Sequence, residues 1–260
     1  MTNSLQNVVN VIKHPLSDAD FQVECKNILD KNGVLLLPDF LTRNSIESIR
    51  REGLQQQHLA YFSERTHNIY LSEPDSNFPD RHPRNRQITS TKGCITTDQI
   101  PQDSCLHLLY NSNEFKSFLC SVLNEKALHP YADSMSSINL HYADKGQQLG
   151  WHFDNSSFAI TLLIQEPQSG GEFEYVKDVR DADAGDVNYA IATRVLDGEI
   201  TAKKLSLKAG TLLLFRGRNA MHRVTPVIGE TTRMLVVLAY NSEPGIALSK
   251  SARMTFYGRV

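Results

Sequence analysis

His152 and Asp154 stand two residues apart, and a further histidine, His222, follows much later in the chain. On a β-strand, residues i and i+2 project from one face, so this imidazole and carboxylate would present side by side. A third ligand from another strand would complete three corners of an octahedron. Two neutral imidazoles and one carboxylate suit iron(II) and leave positions open for an organic chelate and dioxygen. The tripeptide alone is a weak signal, because a solvated strand can carry both residues by chance. Its context carries more. Trp151-His152-Phe153-Asp154 alternates apolar and polar residues, which sends both candidate ligands to one face. His222 lies in GTLLLFRGRNAMHRVTPV, read as a strand, a turn and a second strand. Eleven residues further on, Arg233 heads the apolar run RMLVVLAY. An arginine opening an interior strand needs a buried anion, and a carboxylate matches its planar fork bidentately.

The elements that must position these residues divide the chain in two. From residue 136 to 260 the segments are short, β-rich and punctuated by Gly or Asn, a pattern of sandwich or barrel strands. Residues 177–203 break the run; they read as a lid-like insertion over one mouth, helical between 184 and 196. Residues 1–135 read as mainly helix and loop packed on that core. A helix starts near Ser17 to Asp20 and closes at Gly33. Residues 34–37 form a buried strand, and a second helix opens near residues 42–44. A third spans 113–124, with Phe115, Phe118, Leu119, Val122 and Leu123 at helical spacing. Residues 62–104 read as long loops with short strands. The whole, 1–260, is expected to be one domain, large enough to bury a core without disulfides.

Composition excludes several partners. The 260 residues are 40% hydrophobic and 22% charged with net charge −2, so no global basic field draws nucleic acid or an anionic membrane. The four cysteines form no C-x-x-C pair and read as reduced, buried thiols. The first residues carry no basic segment followed by an apolar run, and no stretch reaches the ~20 apolar residues of a membrane span. A cytoplasmic protein, monomeric or homodimeric, acting on a small molecule is the expectation.

His-x-Asp, a long gap, Gly-x-x-x-x-Phe, a His and an Arg eleven residues later resemble the 2-oxoglutarate/iron(II) dioxygenases. The resemblance covers residues 138–240, and the N-terminal GVLLLPDF followed by a helix is similar too. It implies an α+β fold whose core is a double-stranded β-helix, a distorted, cupin-like jelly roll with flanking N-terminal helices. GWHFDNSSFAITLLIQ followed by GGEFEY is closest to the branch of radical amino-acid halogenases and their hydroxylase relatives. In those halogenases a Gly replaces the carboxylate ligand; Asp154 is kept here, which implies an oxygenase. By position, His152, Asp154 and His222 would hold Fe(II), and Arg233 would clamp the far carboxylate of 2-oxoglutarate, with O2 as oxidant. Asn139, His141, Thr161 and Thr231 would add polar contacts to 2-oxoglutarate, while Tyr142 should face away.

The implied reaction is hydroxylation of an unactivated C–H bond of a free amino acid or similar metabolite, releasing succinate and CO2. Relatives on this scaffold also desaturate or cyclise, which the motif does not separate. Within HPRNR, Arg84 and Arg86 are the candidates for a substrate carboxylate; Asp133, Asn155, Asn241 and Ser242 are candidates for ammonium or amide contacts. A macromolecular substrate would ask for a basic, aromatic-lined groove. A non-enzymatic jelly-roll module would have no need of the ligand set, and a zinc hydrolase would have none for Arg233.

Overall fold

The computed structural model describes residues 4–260; the first three residues of the N-terminal reading lie outside the described residues. The N-terminal half holds α1 (Leu5–Val8), α2 (Ala19–Asn32), β1 (Val34–Leu37), α3 (Arg43–Gln56), β2 (Tyr61–His67), β3 (Ile88–Ile95), α4 (Cys105–Asn111) and α5 (Asn113–Leu123). Local chemistry explains their limits. The Asp18 carboxylate accepts from Phe21 N at 2.8 Å, capping α2, and Gly33 at φ 72° ends it. Thr42 caps α3 and Ser112 caps α5, which closes at Asn124 with φ 62°. The five apolar residues expected along one face of α5 are all buried. Residues 62–104 hold more strand than expected, since β2 pairs along its whole length with residues 88–94 of β3. The loop proper is 68–87.

The C-terminal half supplies β4 (Ile138–Ala143), β5 (Leu149–His152), β6 (Ala159–Gln165), β7 (Ser169–Gly170), β8 (Phe173–Val176), α6 (Tyr189–Leu196), β9 (Lys203–Leu205), β10 (Leu212–Phe215), β11 (Met221–Val224), β12 (Val227–Ile228), β13 (Arg233–Leu238) and α7 (Lys250–Tyr257). A seven-stranded antiparallel sheet runs β1-β10-β6-β13-β4-β3-β2, and a four-stranded one runs β5-β11-β8-β9. The fold is the double-stranded β-helix that the sequence resemblance implied. Among the described residues, no helix is long and apolar enough to cross a membrane.

Strand alternation divides the large sheet into two environments. Leu140, Tyr142, Ile160, Leu162, Leu212, Leu214, Met234 and Val236 face outward into the main core, which they share with Leu29, Phe115, Phe118 and other residues of the helical layer. Tyr142 points away from the interior as expected, and its hydroxyl donates to Gly53 O at 2.7 Å. The alternate residues, among them Lys92, His141, Thr161, Leu213, Arg233, Leu235 and Val237, face inward and line a cavity.

Residues 177–203 are helical over only the later part of the expected 184–196, in α6, and their placement corrects the expected one. None of them lines the cavity. Val179, Ala192 and Val195 instead pack with Ile69, Phe153 and Met221 in a second core, which Trp151 borders. Apolar anchors draw the segment onto the outside of the small sheet. There it braces the 68–87 loop, Tyr189 meeting the rings of Tyr70, Phe78 and His82.

The two faces of β6 give a stability test. Leu162→Ala, in the main core, should cost about 2–5 kcal/mol, because a buried leucine leaves a void. Thr161→Ala, one residue away but facing the cavity, should cost about 1 kcal/mol or less. Denaturant unfolding of both variants measures the difference, and equal losses would overturn the face assignment.

Candidate metal centre and cavity

His152 and His222 are brought together by strand register. They are direct partners in the β5–β11 pair, and their rings lie 4.2 Å apart between centroids at 50°. Each imidazole is steered by its own strand: His152 Nδ1 lies 2.8 Å from Gly150 O, and His222 Nδ1 lies 3.0 Å from Ala220 O. A carbonyl only accepts, so each Nδ1 carries a proton and each Nε2 is the atom left to ligate. Burial first, then the neighbouring His222, push the His152 pKa far below its ordinary value, which keeps this ring neutral and ready to ligate. Phe215 meets His222 edge-on at 4.8 Å and Phe173 stacks on it at 5.6 Å, walling the ring off from water.

Asp154 follows just beyond β5. Its Oδ1 lies 3.5 Å from His222 Nε2 and 3.7 Å from His152 Nε2, and one ligand atom from each of the three residues falls within 4.8 Å of the others. Burial raises the Asp154 pKa, but His222, His152 and Arg180 pull it to a net value below the ordinary one, so the carboxylate is ionised. Its Oδ2 is buried with no hydrogen-bond partner. Two imidazoles with Nδ1 turned to a carbonyl and an orphaned carboxylate oxygen at one point are the donor set of an iron(II) site, so these residues fit the metal.

Gly217 makes the arrangement possible. A Cβ built there would lie 1.8 Å from Asp154 Oδ2, and the Gly217 carbonyl accepts from Asp154 N at 3.1 Å. Arg180 ties the same region from behind: Nε donates to Arg218 O at 2.7 Å, and its guanidinium lies 4.1 Å from the Phe153 ring centroid. Arg218 in turn donates to Asn155 O at 3.1 Å. The 177–203 segment therefore reaches the metal centre through Arg180.

The cavity in front of the ligands is about 770 Å³. Arg233 lies in its wall, only 6% exposed; burial lowers its pKa to about 10, and no acid among the described residues pairs with it. Lys92 and His141 share the wall, Lys92 Nζ lying 3.4 Å from His141 Nε2. Burial, then Lys92 and Arg233, hold His141 well below its usual pKa, hence neutral.

Of the residues expected to serve 2-oxoglutarate, Arg233, His141 and Thr161 line this cavity, whereas Asn139 and Thr231 do not. Asn139 is spent on structure: its amide donates to Met135 O and Ile138 O, and its oxygen accepts from Tyr257 Oη. Thr231 sits on the approach to β13, outside the cavity lining. Asn155 alone of the substrate candidates is on the cavity. Arg84 donates to Glu73 O, Arg86 pairs with Asp197 at 2.6 Å, and neither lines the cavity. The Asp133 carboxylate is filled by Met135 N, Ser136 and Leu248 N. Asn241 bridges to His129 in the backbone, and Ser242 donates to Glu125. The sequence reading missed Lys92, Arg65, His67 and Gly217. The signal for the first three was the alternation along β2 and β3, hidden by their polar inner face; Gly217 stood in the turn before His222.

The family model described as HalD, Halogenase D, matches residues 17–255. No sequence among curated proteins matches the chain. Similar solved structures include an oxidoreductase of the 2OG-Fe(II) oxygenase family from Burkholderia pseudomallei, with TM-score 0.54 and 13% identity over 86% of this chain and 92% of that one. A prolyl hydroxylase from Trichoplax adhaerens, in complex with a hypoxia inducible factor peptide, has TM-score 0.52 and 15% identity over 87% and 95%. HygX from Streptomyces hygroscopicus, with nickel, 2-oxoglutarate and hygromycin B bound, has TM-score 0.53 and 16% identity over 84% and 86%. At such identities the likeness is one of fold.

Gly217→Ala should displace Asp154 while leaving both histidines and the cores in place. The expected result is a roughly ten- to hundredfold loss of Mn(II) or Fe(II) affinity in anaerobic calorimetry, with the unfolding temperature nearly unchanged. Wild-type affinity in this variant would show that Asp154 is not a ligand.

Proposed function

The chain belongs to the Halogenase D family, and from that premise we propose that it is an iron(II)- and 2-oxoglutarate-dependent oxygenase that hydroxylates a free amino acid or similar small metabolite. The observation that carries this reading is the joint placement of His152, Asp154 and His222 on a cavity whose wall holds an unpaired, buried Arg233. A 2-oxo dicarboxylate satisfies both ends of that arrangement, its 2-oxo acid chelating the metal and its far carboxylate pairing with the guanidinium. HygX supports the cofactor set, since 2-oxoglutarate and a metal were bound to that neighbour.

Within the family named for a halogenase, Asp154 decides for oxygenation. Resemblance to the halogenases implies a Gly in its place, freeing a metal position for halide. Here the carboxylate occupies that corner, and Gly217 supplies the room it needs.

With both bound, iron and 2-oxoglutarate supply the oxidation: dioxygen gives one atom to a substrate C–H bond and one to the succinate formed as CO2 leaves. The chain's own residues bind and orient. Asp154 contributes the anion that holds and tunes the metal, and the two Nδ1–H bonds fix the imidazoles. Phe173 and Phe215 exclude water beside His222. Arg233 sets the direction in which the co-substrate lies.

Succinate release under iron(II), with 2-oxoglutarate and each of the twenty amino acids, tests the reading. At least one amino acid should stimulate release and gain one oxygen by mass spectrometry. Stimulated release with a desaturated, cyclised or halogenated product would refute hydroxylation. No release above the metal-free control would refute the oxygenase.

A further inference from the structure

The inner face of the large sheet carries one more cation than 2-oxoglutarate explains. Arg233 is paired in β13 with Ala143 of β4. Beside it, β3 pairs Gly93 with Tyr142, so the next residue, Lys92, comes level with Ala143 on its other side. Neighbouring strands lie about 4.8 Å apart, so the two backbones are separated by roughly 10 Å, with the small alanine between.

His141, two residues before Ala143 on the same face of β4, stands between β13 and β3, and its Nε2 lies 3.4 Å from Lys92 Nζ. Among the described residues Lys92 makes no ion pair; its side-chain partner is the neutral His141 nitrogen. Burial lowers the Lys92 pKa, offset in part by Cys94 and then by Asp154, itself a candidate metal ligand. Burying an ammonium without a counter-charge is costly, so this position calls for an anion of its own. If one carboxylate is held at Arg233 and the other chelates the metal, 2-oxoglutarate has none to spare.

The side of the cavity identifies the source. Lys92 pairs across the sheet with Ser63 of β2, and the exposed Arg65, two residues on, pairs with Ser90. Ser63, Arg65, His67 and Ser90 all line the cavity, so the wall beyond Lys92 is polar and basic and reaches solvent at Arg65. Arg233 lies on the enclosed side. An anion arriving from solvent meets Arg65 first and Lys92 next. We propose that Lys92 is a second carboxylate station, separate from Arg233, and that it takes the free carboxylate of an amino-acid substrate. This rests on the reading that 2-oxoglutarate occupies Arg233. It also assigns the role that Arg84 and Arg86, tied up in the 68–87 loop, do not fill.

Calorimetry on the full chain loaded with Mn(II) and 2-oxoglutarate, with no turnover, tests the station. The probes are the twenty amino acids, each as free acid and as its carboxamide. At least one free acid should bind, with its carboxamide roughly ten- to a hundredfold weaker, since a charge-assisted bond is lost. Lys92→Met should abolish that preference and Lys92→Arg should restore it in part. The affinity for 2-oxoglutarate should stay within about twofold in Lys92→Met and fall at least tenfold in Arg233→Met. Equal loss of 2-oxoglutarate affinity in both Met variants would assign Lys92 to the co-substrate and overturn the proposal. So would equal binding of acid and carboxamide, or no binding of any free acid. Failure of the oxygenase reading looks different: the wild type binds no 2-oxoglutarate, and the acid preference is then read with Mn(II) alone.

Discussion

A carboxylate buried beside two imidazoles, with one oxygen making no hydrogen bond, costs free energy unless a cation completes it. Asp154 is in that position. Removing the orphan by protonation is opposed by its neighbours, which keep the group ionised despite its burial. The folded chain therefore holds a charge that it does not itself neutralise, and a divalent metal is the natural complement. Much around it reads as support for this debt. Gly217 gives up its side chain to make room, Arg180 and Arg218 brace the backbone at 154 and 155, and strand carbonyls turn both imidazoles toward the same point.

The rest of the fold supplies rigidity. Outward leucines of the large sheet pack against the helices, so its inner face stays free to carry polar groups. That face ranks its cations by depth: Arg233 enclosed, Lys92 half-buried and Arg65 exposed. Such a gradient suits a site that must hold an anionic co-substrate and then admit an anionic substrate from solvent. The small sheet carries the two candidate histidine ligands, and α6 covers its outside.

How much was legible follows from which interactions are local. His152 and Asp154 could be paired by the two-residue period of a strand, although β5 ends at His152 and Asp154 lies just past it, and Arg233 because a charge heading an apolar strand needs an explanation. The helix at 113–124 showed its five buried residues in plain periodicity. Arg86 could not be read, since its partner Asp197 is 111 residues away in sequence. Asn139 was on a strand of the correct sheet, but Tyr257, from a helix that no periodicity announced, takes its oxygen. The placement of 177–203 turned on Val179, Ala192 and Val195 finding apolar partners on the small sheet, a long-range choice. Lys92 and Arg65 were hidden because residues 62–104 read as mostly loop: the face of β2 and β3 that lines the cavity is polar and gives no apolar alternation.

The central claim is that His152, Asp154 and His222 hold iron to which a 2-oxo acid held by Arg233 is chelated. Chelation of a 2-oxo acid to iron(II) gives a visible charge-transfer absorption, readable without oxygen, substrate or turnover. Anaerobic titration of the iron(II)-loaded protein with 2-oxoglutarate is thus the most direct measurement. A saturable band in the wild type, lost in His222→Ala and shifted to higher 2-oxoglutarate concentration in Arg233→Lys, is the predicted result. No band in the wild type, or an undiminished one in His222→Ala, would contradict it.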